Sequence, residues 1–403
     1  RYIFTWIDGN KNGVVDSGEV KDFTTTALTG TDLNYFDEAT ATDAQTTINY
    51  VRGVESAGLR SRTIDYDNDG VDEVWRLGDV IDSSPAVVGP PNGYYDVRFG
   101  DTTYTAYRKA YENRRQVTIF GANDGLLHAA NSGFYDTANK RFLLSASGET
   151  AHPLGAEIWA YAPYNLLPHL QWLKDLGYPH VFYMDGPVRA FDVKIFTPDS
   201  THVNGWGTIV VATMRFGGNP IDVDTDGDGS DDWTSRSAVV ILDVTDPESP
   251  PTLLAEVTHA NLGFTTSVPE LMVRRAAGAC MDWTTPSANE WYLVFGSGPT
   301  DLQTAKSTQN AHLFIYDLVN MSFVNNYDGK DLGIATSFVG NPRSISYDND
   351  FIDDVVYFGI AGGTVAAPDG RLMRYVPGSS VSMGGETTLL NPGKPFLGRP
   401  VAT

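Results

Sequence analysis

Four times along the chain the same series of short segments recurs, and a repeated unit constrains a fold more than any single motif. Each unit opens beside a proline and passes to an aliphatic strand ending in Phe-Gly or another small residue. A short strand rich in Ile, Leu and Tyr follows, and then a polar return. Pro85-Ala-Val-Val leads to Val117-Thr-Ile-Phe-Gly and on to Glu157-Ile-Trp-Ala-Tyr; Asp185-Gly-Pro-Val leads to Gly207-Thr-Ile-Val-Val-Ala and on to Ala238-Val-Val-Ile-Leu. Ser267-Val-Pro-Glu leads to Trp291-Tyr-Leu-Val-Phe-Gly and then His312-Leu-Phe-Ile-Tyr; Asn341-Pro-Arg leads to Asp354-Val-Val-Tyr-Phe-Gly and then Gly370-Arg-Leu-Met-Arg-Tyr. Runs this short, rich in β-branched and aromatic residues and bounded by Gly, Pro, Asn or Asp, are strands. A four-stranded antiparallel sheet cannot bury both faces alone, so like sheets must stack on one another. The expected class is all-β, a modified β-propeller of at least four four-stranded blades, the ring incomplete within this chain. A β-sandwich with decorated loops is the alternative. Residues 77–403 form the expected blades, and residues 1–76 an N-terminal segment with a calcium-type loop and one or two short helices between Asp16 and Gly53.

The chain begins inside a strand-like run, Arg1-Tyr-Ile-Phe-Thr-Trp, and closes at Gly398-Arg-Pro-Val401, which reads as the start of another element; a fragment of a larger polypeptide is expected, with any export signal upstream. No apolar run approaches the roughly 18 residues of a membrane span. With 28 Lys and Arg against 50 Asp and Glu, the formal charge of −22 repels phosphate backbones and anionic lipid. Nucleic acid is therefore excluded as a partner class, and cations are favoured. One cysteine, Cys280, excludes an intrachain disulfide framework and a thiolate zinc cluster, and its Ala and Met neighbours suggest a small buried hydrophobe.

The acidic residues are patterned. Residues 8–19 follow the twelve-residue EF-hand loop: Asp8, Asn10, Asn12, Asp16 and Glu19 stand at the oxygen-donor positions, Gly13 at the sharp turn, and Val14 where a backbone carbonyl coordinates. Calcium takes six to eight hard oxygens, which this spacing supplies. The residues before Asp8 read as a strand, so the usual entering helix is missing. Two shorter loops follow D-x-D-x-D-G-x-x-D/E. The first carries Asp65, Asp67, Asp69, the Val71 carbonyl and Glu73; the second carries Asp224, Asp226, Asp228, Ser230 and Asp232. Carboxylates crowded this closely repel one another unless a divalent ion neutralises them. Residues 346–354 repeat the frame with Ser346 for the first Asp and Phe351 for the turning Gly, leaving Asp348, Asp350, the Ile352 carbonyl and Asp354. No catalytic pattern competes. The seven histidines are scattered without H-E-x-x-H, Gly296-Ser297-Gly298 lacks the nucleophile elbow, and no phosphate-binding G-x-x-x-x-G-K-S/T occurs. The aromatics between Trp159 and Tyr183, interleaved with leucines, read as core packing, with a helical insertion or a ligand face as the other options.

Taken in order, Asn49-Tyr-Val-Arg-Gly53, Leu77-Gly-Asp-Val-Ile-Asp-Ser-Ser-Pro-Ala-Val-Val-Gly89, Phe120-Gly-Ala-Asn-Asp-Gly-Leu-Leu-His128, Glu157-Ile-Trp-Ala-Tyr-Ala-Pro163, Leu242-Asp-Val-Thr-Asp-Pro247 and Gly398-Arg-Pro-Val401 resemble the C-terminal domain of the PilY family, type IV pilus tip-associated adhesins and biogenesis factors. The resemblance covers nearly the whole chain. It implies a modified propeller exported to the cell exterior, at the pilus tip or outer-membrane surface. It also implies calcium binding that tunes pilus extension against retraction, pilins or minor pilins as partners, and contact with host or abiotic surfaces. The family's calcium loop corresponds to Asp348, Asp350, Ile352 and Asp354, and Ser346 departs from it. The family's N-terminal adhesion module is not in this chain, and no Arg-Gly-Asp tripeptide occurs to suggest integrin binding. The expectation is a non-enzymatic surface module. A propeller quinoprotein dehydrogenase with a quinone cofactor and calcium, or a purely structural scaffold, are the alternatives.

Overall fold

The computed structural model describes residues 1–275, 289–364 and 366–401, and these are mostly β. Cys280 lies outside the described residues. Four sheets follow one another along the chain. The first runs Ala86–Val88, Gln116–Gly121, Leu127–Asp136, Glu157–Ala162; the second Val188–Lys194, Trp206–Thr213, Val239–Asp243, Thr252–Val257. The third runs Glu270–Arg275, Asn289–Gly296, His312–Asp317, Ser322–Asp331. In the fourth, Ser337–Val339 and Arg343–Ile345 share the neighbour Val355–Gly363, followed by Pro368–Val376 and Gly385–Leu390. Within each of these four-strand runs neighbours are antiparallel.

The sheets stack in series, as the alternation of side chains shows. In the second sheet Val210, Ala212, Val240 and Leu242 pack toward the first sheet, while Ile209, Val211, Val239 and Ile241 pack toward the third. In the third, Trp291, Leu293 and Phe295 meet the second sheet, and Tyr292, Val294 and Ile315 meet Val356, Phe358 and Ile360 of the fourth. A sheet covered on both faces needs apolar residues on both, which is why Trp206–Thr213 is buried at every position. Four sheets in series differ from the two-layer sandwich held as an alternative.

The recurrent Phe-Gly has a steric cause. A Cβ at Gly121 would lie 2.0 Å from the Met184 carbonyl oxygen, and one at Gly296 2.1 Å from the Val339 side chain. The obstacle at Gly121 belongs to the segment leading into the second sheet and that at Gly296 to Ser337–Val339, the opening strand of the fourth, so only glycine lets the chain pass this close.

The first 76 residues share the first sheet and its core. Ile3–Trp6 lies parallel to Glu157–Ala162, and Val20–Asp22 pairs antiparallel on its outer side. The helix Ala41–Val51, capped by Thr40 accepting from the Asp43 amide at 3.2 Å, buries Ala44, Thr47, Ile48 and Val51. The aromatic and leucine-rich stretch forms the 3-10 segment Tyr164–Lys174, with Leu166, Leu167 and Leu170 fully buried. It is tied to the second sheet by Glu256. That buried carboxylate accepts from the Tyr164 amide at 3.0 Å, the Asn165 amide at 2.7 Å and the Tyr161 hydroxyl at 2.8 Å. Two helices, Tyr95–Phe99 and Thr102–Ala110, interrupt the first sheet where strands alone were expected. They exist because Asp101 caps the second of them, and because Tyr95, Tyr104 and Tyr107 extend the core between the second and third sheets.

Most described histidines are paired or packed. His128, on the third strand of the first sheet, is buried between Asp124 at 3.0 Å and Glu157 at 2.9 Å, and Glu157 also holds Arg1 at 2.8 Å. Burial lowers the His128 pKa, but the two carboxylates outweigh it and carry the group to about 9.

Candidate metal centres

All four acidic loops close antiparallel strand pairs. Residues 8–19 join Ile3–Trp6 to Val20–Asp22, confirming the strand read before Asp8. Residues 65–73 cap the small hairpin Thr63–Ile64 with Glu73–Val74. Residues 224–232 cap Ile221–Val223 with Trp233–Ser235, and residues 346–354 lie between Arg343–Ile345 and Val355–Gly363.

Their backbones are alike. The fourth and sixth positions are left-handed in every loop: Lys11 and Gly13 at φ 58° and 73°, Asn68 and Gly70 at 60° and 89°, Gly227 and Gly229 at 82° and 91°, Asn349 and Phe351 at 58° and 81°. These two turns curl the chain around the first side chain. Its oxygen accepts from the fifth-position amide in each loop: Asn12 to Asp8 at 3.1 Å, Asp69 to Asp65 at 3.1 Å, Asp228 to Asp224 at 3.2 Å, and Asp350 to the Ser346 hydroxyl at 3.3 Å. The fifth side chain in turn accepts from the seventh amide, at 2.7 to 2.9 Å in all four. The first and fifth side chains therefore turn back onto the loop's own amides.

What gathers at the centre differs. Carboxylate oxygens of Asp65, Asp67 and Glu73 lie within 4.8 Å of one another, as do those of Asp224, Asp226 and Asp228. In the 65–73 loop, Glu73 Oε2 is buried and accepts no hydrogen bond. A carboxylate with a buried, undonated oxygen, gathered with two further carboxylates, lacks the positive partner such a group requires, and a hard cation fits that donor set. Asp69 stands outside that trio. In the 224–232 loop, Asp232 stands outside: it accepts from the Thr225 amide at 3.0 Å and from Lys11 Nζ at 2.5 Å. The Lys11 contact, with Thr225, holds its pKa at about 2, while the amides of Gly229 and Gly227 lower that of Asp224.

The 8–19 loop has fewer charges and more internal bonds. Asn10 and Asn12 both donate to Asp16, at 2.8 and 2.9 Å, and lower its pKa. Glu19 accepts from the Trp6 indole at 3.0 Å and from the Asp16 and Gly9 amides. Asp8 is buried, and burial pushes its pKa up against the pull of the Gly13 and Asn12 amides. Lys11 joins this loop to the 224–232 loop, a pairing across 221 residues that local pattern could not disclose.

The 346–354 loop keeps the backbone path with a different anchor. Phe351, at the glycine position, is buried against Tyr95 and Phe99, ring centroids 4.6 Å from each, and 5.8 Å from Trp291. Asp354 accepts from the Tyr347 amide at 2.8 Å, as Asp232 does from Thr225. Asp353 turns inward to accept from the Val273 amide at 2.8 Å, and burial lifts its pKa to about 7. A large apolar side chain where the pattern wants glycine was the signal that packing had entered the loop.

Among the described residues no helix is long and apolar enough to cross a membrane. No family model matches the chain. In sequence it is 29% identical over 307 residues to a type IV pilus biogenesis factor PilY1 homolog of Xylella fastidiosa, 73% of this chain and 19% of that protein. It is 25% identical over 308 residues to type IV pilus biogenesis factor PilY1 of Pseudomonas aeruginosa, 72% of this chain and 20% of that protein. The chain thus spans about a fifth of the length of the curated relatives it matches. Among solved structures, the C-terminal domain of Pseudomonas aeruginosa PilY1 aligns at a TM-score of 0.43 with 20% identity, covering 72% of this chain and 45% of that one. Over most of its length the chain is a sequence relative of the PilY1 type IV pilus biogenesis factors, the family its motifs resemble.

Proposed function

We propose that this chain is the calcium-braced part of an exported type IV pilus biogenesis factor, acting without catalysis at the pilus tip or outer-membrane surface. The sequence relationship to PilY1 carries this proposal. Calcium would be held by Asp8, Asn10, Asn12, Asp16 and Glu19 in one loop, by Asp65, Asp67, Asp69 and Glu73 in the second, and by Asp224, Asp226, Asp228 and Asp232 in the third, with the carbonyls of Val14, Val71 and Ser230. The shared loop backbone and the unsatisfied Glu73 oxygen support it. In the 346–354 loop the ligands would be Asp348, Asp350, Ile352 and Asp354, with Phe351 supplying most of the anchoring. The four sheets are proposed as consecutive propeller blades. Contact between the opening strands of successive sheets, Val188–Lys194 on Ala86–Val88 and Glu270–Arg275 on Arg343–Ile345, favours a common axis. Residues 1–76 then form a segment grafted on the outer edge of the first blade.

Filled loops would stiffen hairpins that project from the stacked sheets, presenting a fixed face to pilins or minor pilins and to an attachment surface. Ion occupancy would thereby set the balance of pilus extension and retraction. In the source bacterium, Asp65→Asn with Asp224→Asn is expected to change the number of surface pili counted by electron microscopy, at unchanged protein level. Wild-type piliation in that strain would contradict the regulatory role.

A further inference from the structure

The hairpin carrying the 65–73 loop has a second face. Asp65, Asp67 and Glu73 converge on one side, while Ile64, Tyr66 and Trp75 line a cleft of about 870 Å³ whose other walls are the end of the helix Ala41–Val51, residues 76–80 and Leu173. Ligand-binding clefts run from about 300 to 1,000 Å³. Trp75 is 52% exposed and Tyr66 56%, their ring centroids 5.7 Å apart and inclined at 70°. Two large aromatics left this open, side by side in a concave site, are unusual for a chain that buries most of its other large rings.

The rest of the lining mixes apolar side chains, Leu77, Val80 and Leu173 among them, with charged groups of both signs. Arg76 donates only to backbone carbonyls, Gly53 at 3.2 Å and Val74 at 3.4 Å. Ser61 and Asp79 also line the cleft, the carboxylate bonded to His180 at 2.8 Å. The site therefore offers apolar ring faces together with donors and acceptors, and its charges nearly cancel: Arg60, Arg62 and Arg76 stand against Asp79 and Asp124, with Arg62 paired to Glu55 at 2.8 Å. A polyanion would also meet the −22 of the whole chain. The matching ligand has apolar C–H faces and a rim of hydroxyls that donate and accept. We propose that this cleft binds an uncharged saccharide, stacked on Trp75 and Tyr66, and that a divalent ion in the 65–73 loop sets its affinity.

The coupling follows from the hairpin's construction. Only the pairs Thr63 with Val74 and Ile64 with Glu73 form its ladder, with one further bond from the Trp75 amide to the Arg62 carbonyl at 2.9 Å. A hairpin that short is marginal alone. With its three carboxylates bridged by a cation, the two strands are locked and both rings are held at fixed positions, so less ordering remains to be done when ligand binds. This second half rests on the calcium proposal; saccharide binding itself does not.

Tryptophan fluorescence is titrated with cellotetraose, maltotetraose and chitotetraose, in calcium and in chelator. A saturable change with at least one of the three is expected, lost in Trp75→Ala, retained in part in Trp75→Phe, and weakened about tenfold by chelator or by Asp65→Asn with Asp67→Asn, an effect of about 1.4 kcal/mol. No change with any of the three, binding that survives Trp75→Ala, or preference for polygalacturonate overturns the saccharide site. Terbium luminescence, sensitised by Trp75, reads the loop independently. Terbium bound without saccharide leaves the calcium proposal intact and removes the cleft; saccharide bound equally with and without the ion removes only the coupling.

Discussion

Calcium added to chelator-treated protein is expected to raise the melting temperature by several degrees, because each loop that fills contributes about 2.7 kcal/mol once free calcium exceeds its Kd a hundredfold. Three loops give about 8 kcal/mol on the same basis, comparable with the whole stability of an ordinary domain. The size follows from what the ion relieves. Asp65, Asp67 and Glu73, and likewise Asp224, Asp226 and Asp228, hold carboxylate oxygens within 4.8 Å. Their repulsion is present in the folded chain and diluted in the unfolded one, so folding bears it until a cation arrives. Asp224→Asn is expected to remove part of the shift, since Asp224 accepts from the Gly227, Asp228 and Gly229 amides and faces the other two carboxylates. The shift should be smaller still with Asp65→Asn added. Differential scanning calorimetry in calcium and in chelator measures it, and coincident transitions would contradict calcium bracing.

The second large effect is on the alkaline side. His128 has an unperturbed pKa near 6.5 and is raised to about 9 in the fold. The folded state therefore binds this proton more tightly than the unfolded chain does. The stabilisation is complete below about pH 6.5 and is lost as pH rises through about 9, a total of roughly 3 kcal/mol. Its partners act at the other end: Asp124 is lowered, and Glu157 falls to about 2 with Arg1 and His128 beside it, so their share is present above the ordinary carboxylate range and lost as pH falls through about 2. Denaturant unfolding at intervals from pH 6 to 9.5 should show wild type losing stability over this window and His128→Gln staying flatter. Parallel curves for the two would show that His128 is not charged in the fold.

Much of the fold was legible because burial on both faces leaves a local mark. Gly207-Thr-Ile-Val-Val-Ala could only be an interior strand, and the Phe-Gly of the first and third units recorded a close crossing by the chain entering the next sheet. The helices Tyr95–Phe99 and Thr102–Ala110 were not legible. The rings they bury are tyrosines and a phenylalanine, types common in strands, and these rings pack against Trp206 and Trp291 far along the chain. The acidic loops were legible down to the turning residue, since the left-handed fourth and sixth positions favour Gly and Asn. Contacts between distant parts of the chain were hidden. The Lys11 to Asp232 bond and the seat of Phe351 among Tyr95, Phe99 and Trp291 depend on how the sheets stack, which spacing does not encode.

Equilibrium dialysis of the purified chain against radioactive calcium counts the ions directly. One ion in each of the loops at residues 8–19, 65–73 and 224–232 is expected, falling by one when Asp224→Asn is introduced, with the 346–354 loop, short of a carboxylate at Ser346, filling only at higher calcium. Calcium no higher inside the dialysis bag than outside would contradict ion-braced loops.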